Sequence, residues 1–299
     1  MKKKQKELVE LSGKELAKQQ SQLRQILKRL TRHKMAMLGL FFIVVFTLLA
    51  IFAPYIAPYD PLELTYQFST APSDQYLLGT DAVSRDVLSR LIYGARVSLA
   101  VGLGSAVCTV VIGSVLGLLA GYFGGWVDVV IMRLTDILMS FPMIILMMVL
   151  STIVGNGLWK VTLIIGCLTW PMVCRLVRSN VMSLKEQDFV KSSITSGLSR
   201  PNIIFKQILP NVVGPILVNA TFSISMAILM ESSLSFLGLG ITAPTPSWGN
   251  MLADAQAIAI FTTKPWQWVA PGVCIVATVL SFNFLGDGLR DALDPRVTK

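Results

Sequence analysis

The chain has 299 residues, of which 53% are apolar and only 14% charged. Soluble domains carry about 25% charged residues, so this composition excludes an ordinary soluble globule and points to the membrane. The formal charge is +9, yet residues 1–34 alone hold eleven Lys/Arg against three Glu. The basic excess therefore sits in a tail rather than on a folded body, which excludes a nucleic-acid module. A single histidine, His33, excludes histidine-based zinc clusters.

In chain order, the basic tail 1–34 pairs Ser12 with Glu15 in a capping-box pattern, and Leu16, Leu23, Leu27 and Leu30 share one helical face. A helix on the anionic inner membrane surface is expected, with the bilayer preferred over a calmodulin-like partner. His33 is expected at the surface. Residues 35–57 form an uncharged run, long enough to cross a ~30 Å hydrocarbon core and too long for a signal peptide. The loop 58–97 follows, with Asp60, Glu63, Asp74, Asp81 and Asp86 outweighing Arg85, Arg90 and Arg96. Asp86 and Arg90 have the spacing of a helical ion pair. Gly79-Thr80 is no phosphate loop, and the chain has no GxxxxGK[ST].

Further spans are predicted at 98–120, 130–154, 158–177, 212–237 and 268–285, the third and fifth being less cleanly bounded. Gly102, Gly104, Gly113 and Gly117 in the second would permit close helix contact. The third contains Pro142, and the fourth Pro171. Lys/Arg placement puts 1–34, 121–133, 175–211 and 286–299 inside and both termini in the cytoplasm. Cys108, Cys167, Cys174 and Cys274 all lie in apolar contexts without a CxxC pair, so buried, unreactive thiols are expected.

Two buried-looking acids, Asp136 and Glu231, are each either translocation-path groups or internal structural partners. Arg133, one turn from Asp136, favours a local pair. Glu231 has no cation at helical spacing, so another span, another subunit, protonation or water must satisfy it. In the outer loop, Trp248 and Asn250 suit an outer gate or a binding-protein contact, with an interfacial aromatic belt including Trp266 and Trp268 as the rival reading. Gly286, Gly288 and Arg290 shape the cytoplasmic end of the last span.

The stretch 185–211, KEQDFVKSSITSGLSRPNIIFKQILPN, is the most organised of the connecting segments. Glu186 to Ser196 can form about three helical turns, with Phe189, Val190, Ser193, Ile194 and Gly197 as an apolar or small stripe. Gly197 is a C-cap candidate. Ser199 is placed to cap a second short helix with Pro201 in its first turn. Ile203, Ile204 and Ile208 add apolar surface, and Pro210 ends the unit. Two readings stand: an interfacial helical hairpin, or a docking element for a cytoplasmic protein, with Lys191, Arg200 and Lys206 tuning the encounter.

Lys191-Ser192-Ser193, Gly197 and Leu209-Pro210 resemble the cytoplasmic signature of bacterial ABC-importer permeases: Glu-Ala-Ala, three residues, Gly, then Leu-Pro. The chain departs from it at Lys191, Ser192 and Ser193, although both serines stay small. LLGTDAVSRDVLSRLIYGARVSLAVG (77–102), ESSLSFLGLGITAPTPSWGNML (231–252) and FNFLGDGLRDALDPR (282–296) resemble other signatures of the dipeptide/oligopeptide/nickel subfamily, and its C-type permease subunits most of all. The resemblance implies an all-α polytopic membrane bundle of six transmembrane helices in the bacterial inner membrane. It divides the chain into a tail (1–34), a first span (35–57), an extracytoplasmic loop (58–97), a five-helix core (98–290) with its coupling loop at 186–211, and a short tail (291–299).

By the same resemblance, Glu186, Phe189, Val190, Lys191, Ser192, Ser193, Gly197, Ile204, Leu209 and Pro210 belong to the surface that engages an ATPase. The implied partners are a second, nonidentical permease, two ATPase subunits that bind ATP and Mg, an extracytoplasmic substrate-binding protein, membrane lipids and a peptide substrate. No cofactor, metal or catalytic residue is assigned to this chain, and no nucleic acid. Nickel-chelate import is the near alternative. A membrane scaffold and an enzyme working within the membrane are the alternatives of other classes, the last weakened by the lack of a nucleophile–base constellation.

Overall fold

The structure, a computed structural model, describes residues 25–293. Among these, helices and loops make up the chain, with one isolated bridge between Thr80 and Asp86. After a helical stretch at 25–32 come α1 (Lys34–Ile51), α2 (Ala53–Ile56), α3 (Val87–Phe123), α4 (Gly125–Met139), α5 (Met143–Val154) and α6 (Leu158–Lys185). There follow α7 (Asp188–Thr195), α8 (Arg200–Ile203), a π-turn (Ile204–Ile208), α9 (Leu209–Phe236), α10 (Trp248–Asp254), α11 (Ile258–Thr263), a 3₁₀ turn (Pro265–Gln267) and α12 (Val269–Leu293).

Five helices are long and apolar enough to cross a membrane, and α4 with α5 makes a sixth candidate bent by 87°. The run 130–154 is therefore not one straight rod. Pro142 supplies the reason: it has no N–H to donate, and α5 restarts immediately after it. Pro171 lies buried inside α6 without ending it. The helices also overshoot the apolar runs. The second span begins at Val87 rather than 98, where the Asp86 carboxylate accepts from the Ser89 N–H at 2.7 Å.

The central contact joins α3 to α6. A Cβ added at Gly113, Gly117 or Gly121 would lie 2.6, 2.6 or 2.8 Å from the nearest α6 atom. These glycines are spaced by four and let the two backbones meet. Hydroxyls fasten the same seam, Ser105 to the Thr162 carbonyl at 3.0 Å and Thr109 to that of Gly166 at 3.3 Å. Gly102 faces Ile228 of α9 instead. Around this pair, α1 lies on α12, with Gly39 against the Ser281 carbonyl and Gly288 against Ala36.

Several expectations change. His33 is not a free surface residue: its Nδ1 accepts from the Ala36 N–H at 3.1 Å and caps α1, and its Nε2 lies 3.5 Å from Asp291 on α12. Cys174 is buried and Cys108 and Cys274 are half-buried, but Cys167 is exposed on an apolar helix surface. Ser12, Glu15, Leu16 and Leu23 lie outside the described residues. Within them, Leu27 is exposed and Leu30 half-buried.

The segment between α2 and α3 interlocks with the one between α9 and α12. Asp81 pairs with Arg85 at 2.8 Å and lies 3.5 Å from Arg90, and both arginines reach Asp254 on α10, at 3.1 and 3.3 Å. The expected Asp86–Arg90 pair does not form, because Asp86 is committed to the helix cap. Burial pushes the Asp254 carboxyl above its ordinary range, and Arg90 and Arg85 pull against it. Gln267 adds a bond to the Thr80 carbonyl at 3.0 Å. Because Asp81, Arg85 and Arg90 are nearly inaccessible, removing one charge strands the others. Asp81→Asn is expected to destabilise the chain by about 3 kcal/mol, read as a lowered thermal midpoint in detergent. An unchanged midpoint would show the cluster to be incidental.

Candidate functional site

The coupling-loop candidate starts where α6 ends. Lys185 donates to the Tyr122 carbonyl at 2.9 Å, tying the ends of α3 and α6 together. Glu186 closes α6, and the extended Gln187 opens α7, so the expected three turns shorten to the eight residues of α7. Val190 is fully buried, packed with Val181, Ile203, Ile208 and Val212. It seats α7 on the bundle and offers nothing outward. Ile203 and Ile208, expected as surface, share that core. Ile204, Ser193 and Leu209 are half-buried.

The outward face consists of Phe189, Ile194 and Leu198, each about 40–50% exposed, beside Ser192 and Gly197. Leu198 is the residue that signature matching overlooks. Gly197 has φ +77°, its N–H bonds the Ile194 carbonyl, and the Leu198 N–H bonds that of Ser193. That pair of bonds is a Schellman motif, which needs left-handed backbone at Gly197. A Cβ there would meet nothing within 4 Å in this chain, so conformation, not internal crowding, is what requires glycine. Lys191 pairs with Glu186 at 3.0 Å, both well exposed, an arrangement of small energetic weight.

Ser199 occupies the cap position of α8, but its side chain makes no capping bond. Nor does Pro210 end a separate helix. The chain runs unbroken from Arg200 to Phe236, with the Leu209 N–H bonding the Ile204 carbonyl five residues back. This widened turn lies just before Pro210, whose ring would otherwise press on the carbonyl four residues earlier.

On the bundle's surface, Asp136 pairs with Arg175 of α6 at 2.5 Å rather than with Arg133, and the less exposed Asp128 makes a two-pronged pair with Arg178. Together they clamp the bent α4 against α6. Glu231 is fully buried and surrounded by hydroxyls: Ser235 donates at 2.7 Å, Ser98 at 3.4 Å and Ser232 at 3.5 Å. Ser98 also accepts the Trp248 N–H at 3.2 Å. Glu231 thus sits where α3 and α9 meet the start of α10.

Trp248 and Asn250 lie inside the protein, not on its surface. Trp248 is fully buried against Phe46, with its Nε1 donating to the Leu91 carbonyl at 3.1 Å. Asn250 completes a capping box with Ser247 and donates to the carbonyls of Ile241 and Thr245. Neither presents a contact surface; both hold the segment after α9 in place, Trp248 on α3 and Asn250 within the loop.

Comparison with known proteins bears on all of this. Residues 113–299 match the family described as binding-protein-dependent transport system inner membrane component. Residues 21–76 match the N-terminal TM domain of oligopeptide transport permease C. The chain is 42% identical, over 275 residues, to a dipeptide transport system permease protein of Alkalihalophilus pseudofirmus, covering 92% of this chain and 90% of that one. It is 41% identical to a di/tripeptide transport system permease protein of Pseudomonas aeruginosa, covering 93% of each. It is 39% identical to a glutathione transport system permease protein of Pectobacterium atrosepticum, covering 92% of this chain and 91% of the other. The chain therefore belongs to the binding-protein-dependent transport system inner membrane components: it is a multi-pass permease subunit of an ABC importer, driven by separate ATPase subunits.

Proposed function

We propose that this chain forms one half of a peptide translocation pathway, crosses the membrane six times with both termini in the cytoplasm, and engages an ATPase subunit through residues 186–211. The observation that carries this reading is the outward face of α7 and its cap. Phe189, Ile194, Leu198, Ser192 and Gly197 are exposed on a unit whose other side, through Val190, Ile203 and Ile208, is built into the bundle core. Such a unit passes displacement inward instead of absorbing it. Peptide import is supported by relatives whose names specify dipeptide, di/tripeptide and glutathione transport.

ATP, bound with Mg by the partner subunits, would draw those subunits together. Motion of α8 then tilts α9, because no loop separates these two, and α7 follows through the packing of Val190 on Ile203 and Ile208. The binding partners on the two sides must prefer different tilts for that motion to have a direction.

Reconstitution with the second permease, the ATPases and the binding protein tests the reading. ATP-dependent uptake of labelled dipeptides or longer peptides is expected. Uptake of nickel chelates alone would reassign the substrate. For topology, single cysteines in a cysteine-free background at the exposed position 192 and at 295 should label only from inside, and those at 70 and the exposed 256 only from outside. Labelling of 192 from outside would overturn the orientation.

A further inference from the structure

A cleft between α6, α9 and α12 opens on the face of the bundle that carries the coupling-loop candidate, since it is lined near the start of α9 and at Leu293, the end of α12. Its volume is about 480 Å³, within the range that holds a small ligand. Leu176, Val218, Phe222 and Leu293 give it apolar walls, and Asn219 and Arg290 supply its polar groups. At the deep end a Cβ on Gly286 would collide with Thr221 and Phe222, so α9 and α12 meet there directly.

Both polar side chains are uncommitted. Among the described residues, the Arg290 guanidinium makes no ion pair and no hydrogen bond. Arg175 and Arg178 on α6 are taken by Asp136 and Asp128, and Asp291 faces His33. Asp287, one turn before Arg290, is exposed and forms no pair with it. Asn180 and Asn211 turn their amides back to carbonyls of their own helices, at 2.8 and 2.7 Å. The Asn219 amide makes no such bond among the described residues.

Depth decides what such groups face. The apolar run of α9 begins at Val212, which places Asn219 roughly 10 Å inside the span. An amide turned to hydrocarbon without a partner is costly at that depth. The guanidinium in the same cleft would cost more. The cleft therefore holds water or a polar ligand, and the ligand its chemistry fits is an anion with an apolar body.

We infer that this cleft is the last holding site for the peptide on its way inward. Arg290 pairs with the free C-terminal carboxylate, Asn219 donates to the same group, and the apolar walls take the last side chain. The inference rests on the import role and orientation proposed above. A carboxylate accepts two parallel bonds from a guanidinium. Every unmodified peptide carries that carboxylate whatever its side chains, so the site reads the class of ligand and tolerates its sequence. Because Arg290 is exposed, water competes for the pair and keeps it weak enough to release the peptide.

The test uses the complete, nucleotide-free transporter in phosphatidylcholine nanodiscs without the binding protein, so that selection by that protein does not enter. In a cysteine-free background, Val218→Cys places a thiol on the cleft wall, and its alkylation by a small maleimide is followed as peptide is added. Alanyl-phenylalanine should slow alkylation, and its C-terminal amide should need about tenfold more for the same effect. Arg290→Gln should raise the concentration of free acid required by about tenfold and leave that of the amide unchanged. Arg290→Lys should fall between, keeping the charge without the fork. If Val218→Cys does not assemble, Leu293→Cys gives the same readout from the opposite wall. Equal protection by acid and amide, protection by neither, or a free-acid response unmoved in Arg290→Gln would overturn the inference. So would acid and amide weakening together in that variant, the mark of a merely structural arginine. Protection that rises with phosphatidylglycerol in the nanodisc, without peptide, would give Arg290 to a lipid phosphate and also overturn it. A cleft protected by the free acid in a transporter that imports no peptide defeats the import role and keeps the carboxylate site; import without acid-selective protection does the reverse.

Discussion

Gly117→Leu is expected to deplete assembled permease in the membrane by about tenfold or more, a larger loss than any surface change would produce. A Cβ at this position lies 2.6 Å from the Cys174 carbonyl oxygen and 2.8 Å from Val177 Cβ. Neither atom is the free end of a flexible chain, so α3 and α6 must separate. Overpacking costs about 1–3 kcal/mol where side chains can yield, and contact with a backbone carbonyl belongs at the upper end or above. Separation also stretches the Ser105 and Thr109 bonds along the same seam. Gly272→Ala is the control, since a Cβ at Gly272 meets nothing within 4 Å. Assembled complex is measured by co-purification of the ATPase subunits. Equal yields for the two variants would refute the account of the α3–α6 seam.

Gly197→Val is expected to reduce ATP-driven uptake by more than tenfold while leaving membrane insertion intact. A β-branched residue resists the φ of +77° that the Schellman motif demands, so α7 loses its terminus and Leu198 its place on the outward face. Gly197→Asn should retain most activity, because asparagine tolerates left-handed backbone. This contrast identifies the cause, because a requirement for close partner approach would reject asparagine too. Lys191→Ala should be mild, since the pair with Glu186 is exposed. ATP hydrolysis, ATPase content and uptake in proteoliposomes separate loss of docking from loss of coupling. A severe defect in Lys191→Ala with normal uptake in Gly197→Val would reverse the assignment.

The apolar runs, the Gly197 cap and the family signatures were legible because each depends on residues close together in the chain. The misread features share the opposite property. Spacing suggested Asp86–Arg90 and Asp136–Arg133, but Arg90 meets Asp254 in a largely buried cluster, and Asp136 meets Arg175 in a half-exposed pair across two helices. Both alternatives lie on other elements, where sequence offsets carry no information. Glu231 is satisfied in part by Ser98, 133 residues earlier. Trp248 could serve as an interfacial anchor or a core residue by composition alone, and only the position of Phe46 and Leu91 decides it. Proline was ambiguous for a related reason. Pro142 accompanies an 87° bend, while Pro171 and Pro215 ride within continuous helices, a difference set by what surrounds each ring.

The unbroken course from Arg200 to Phe236 has a mechanical implication. Thirty-seven residues without an intervening loop make a rod on the order of 55 Å long. A 10° tilt of such a rod displaces one end relative to the other by on the order of 10 Å. It begins at α8, and near its far end the Ser235 hydroxyl, which donates to Glu231, accepts from the Ile241 N–H of the loop that leads to Trp248. The two membrane faces of the subunit are thus the two ends of one crank. By thermodynamic reciprocity, whatever binding at one end does to affinity at the other, a ligand at that other end must do in return.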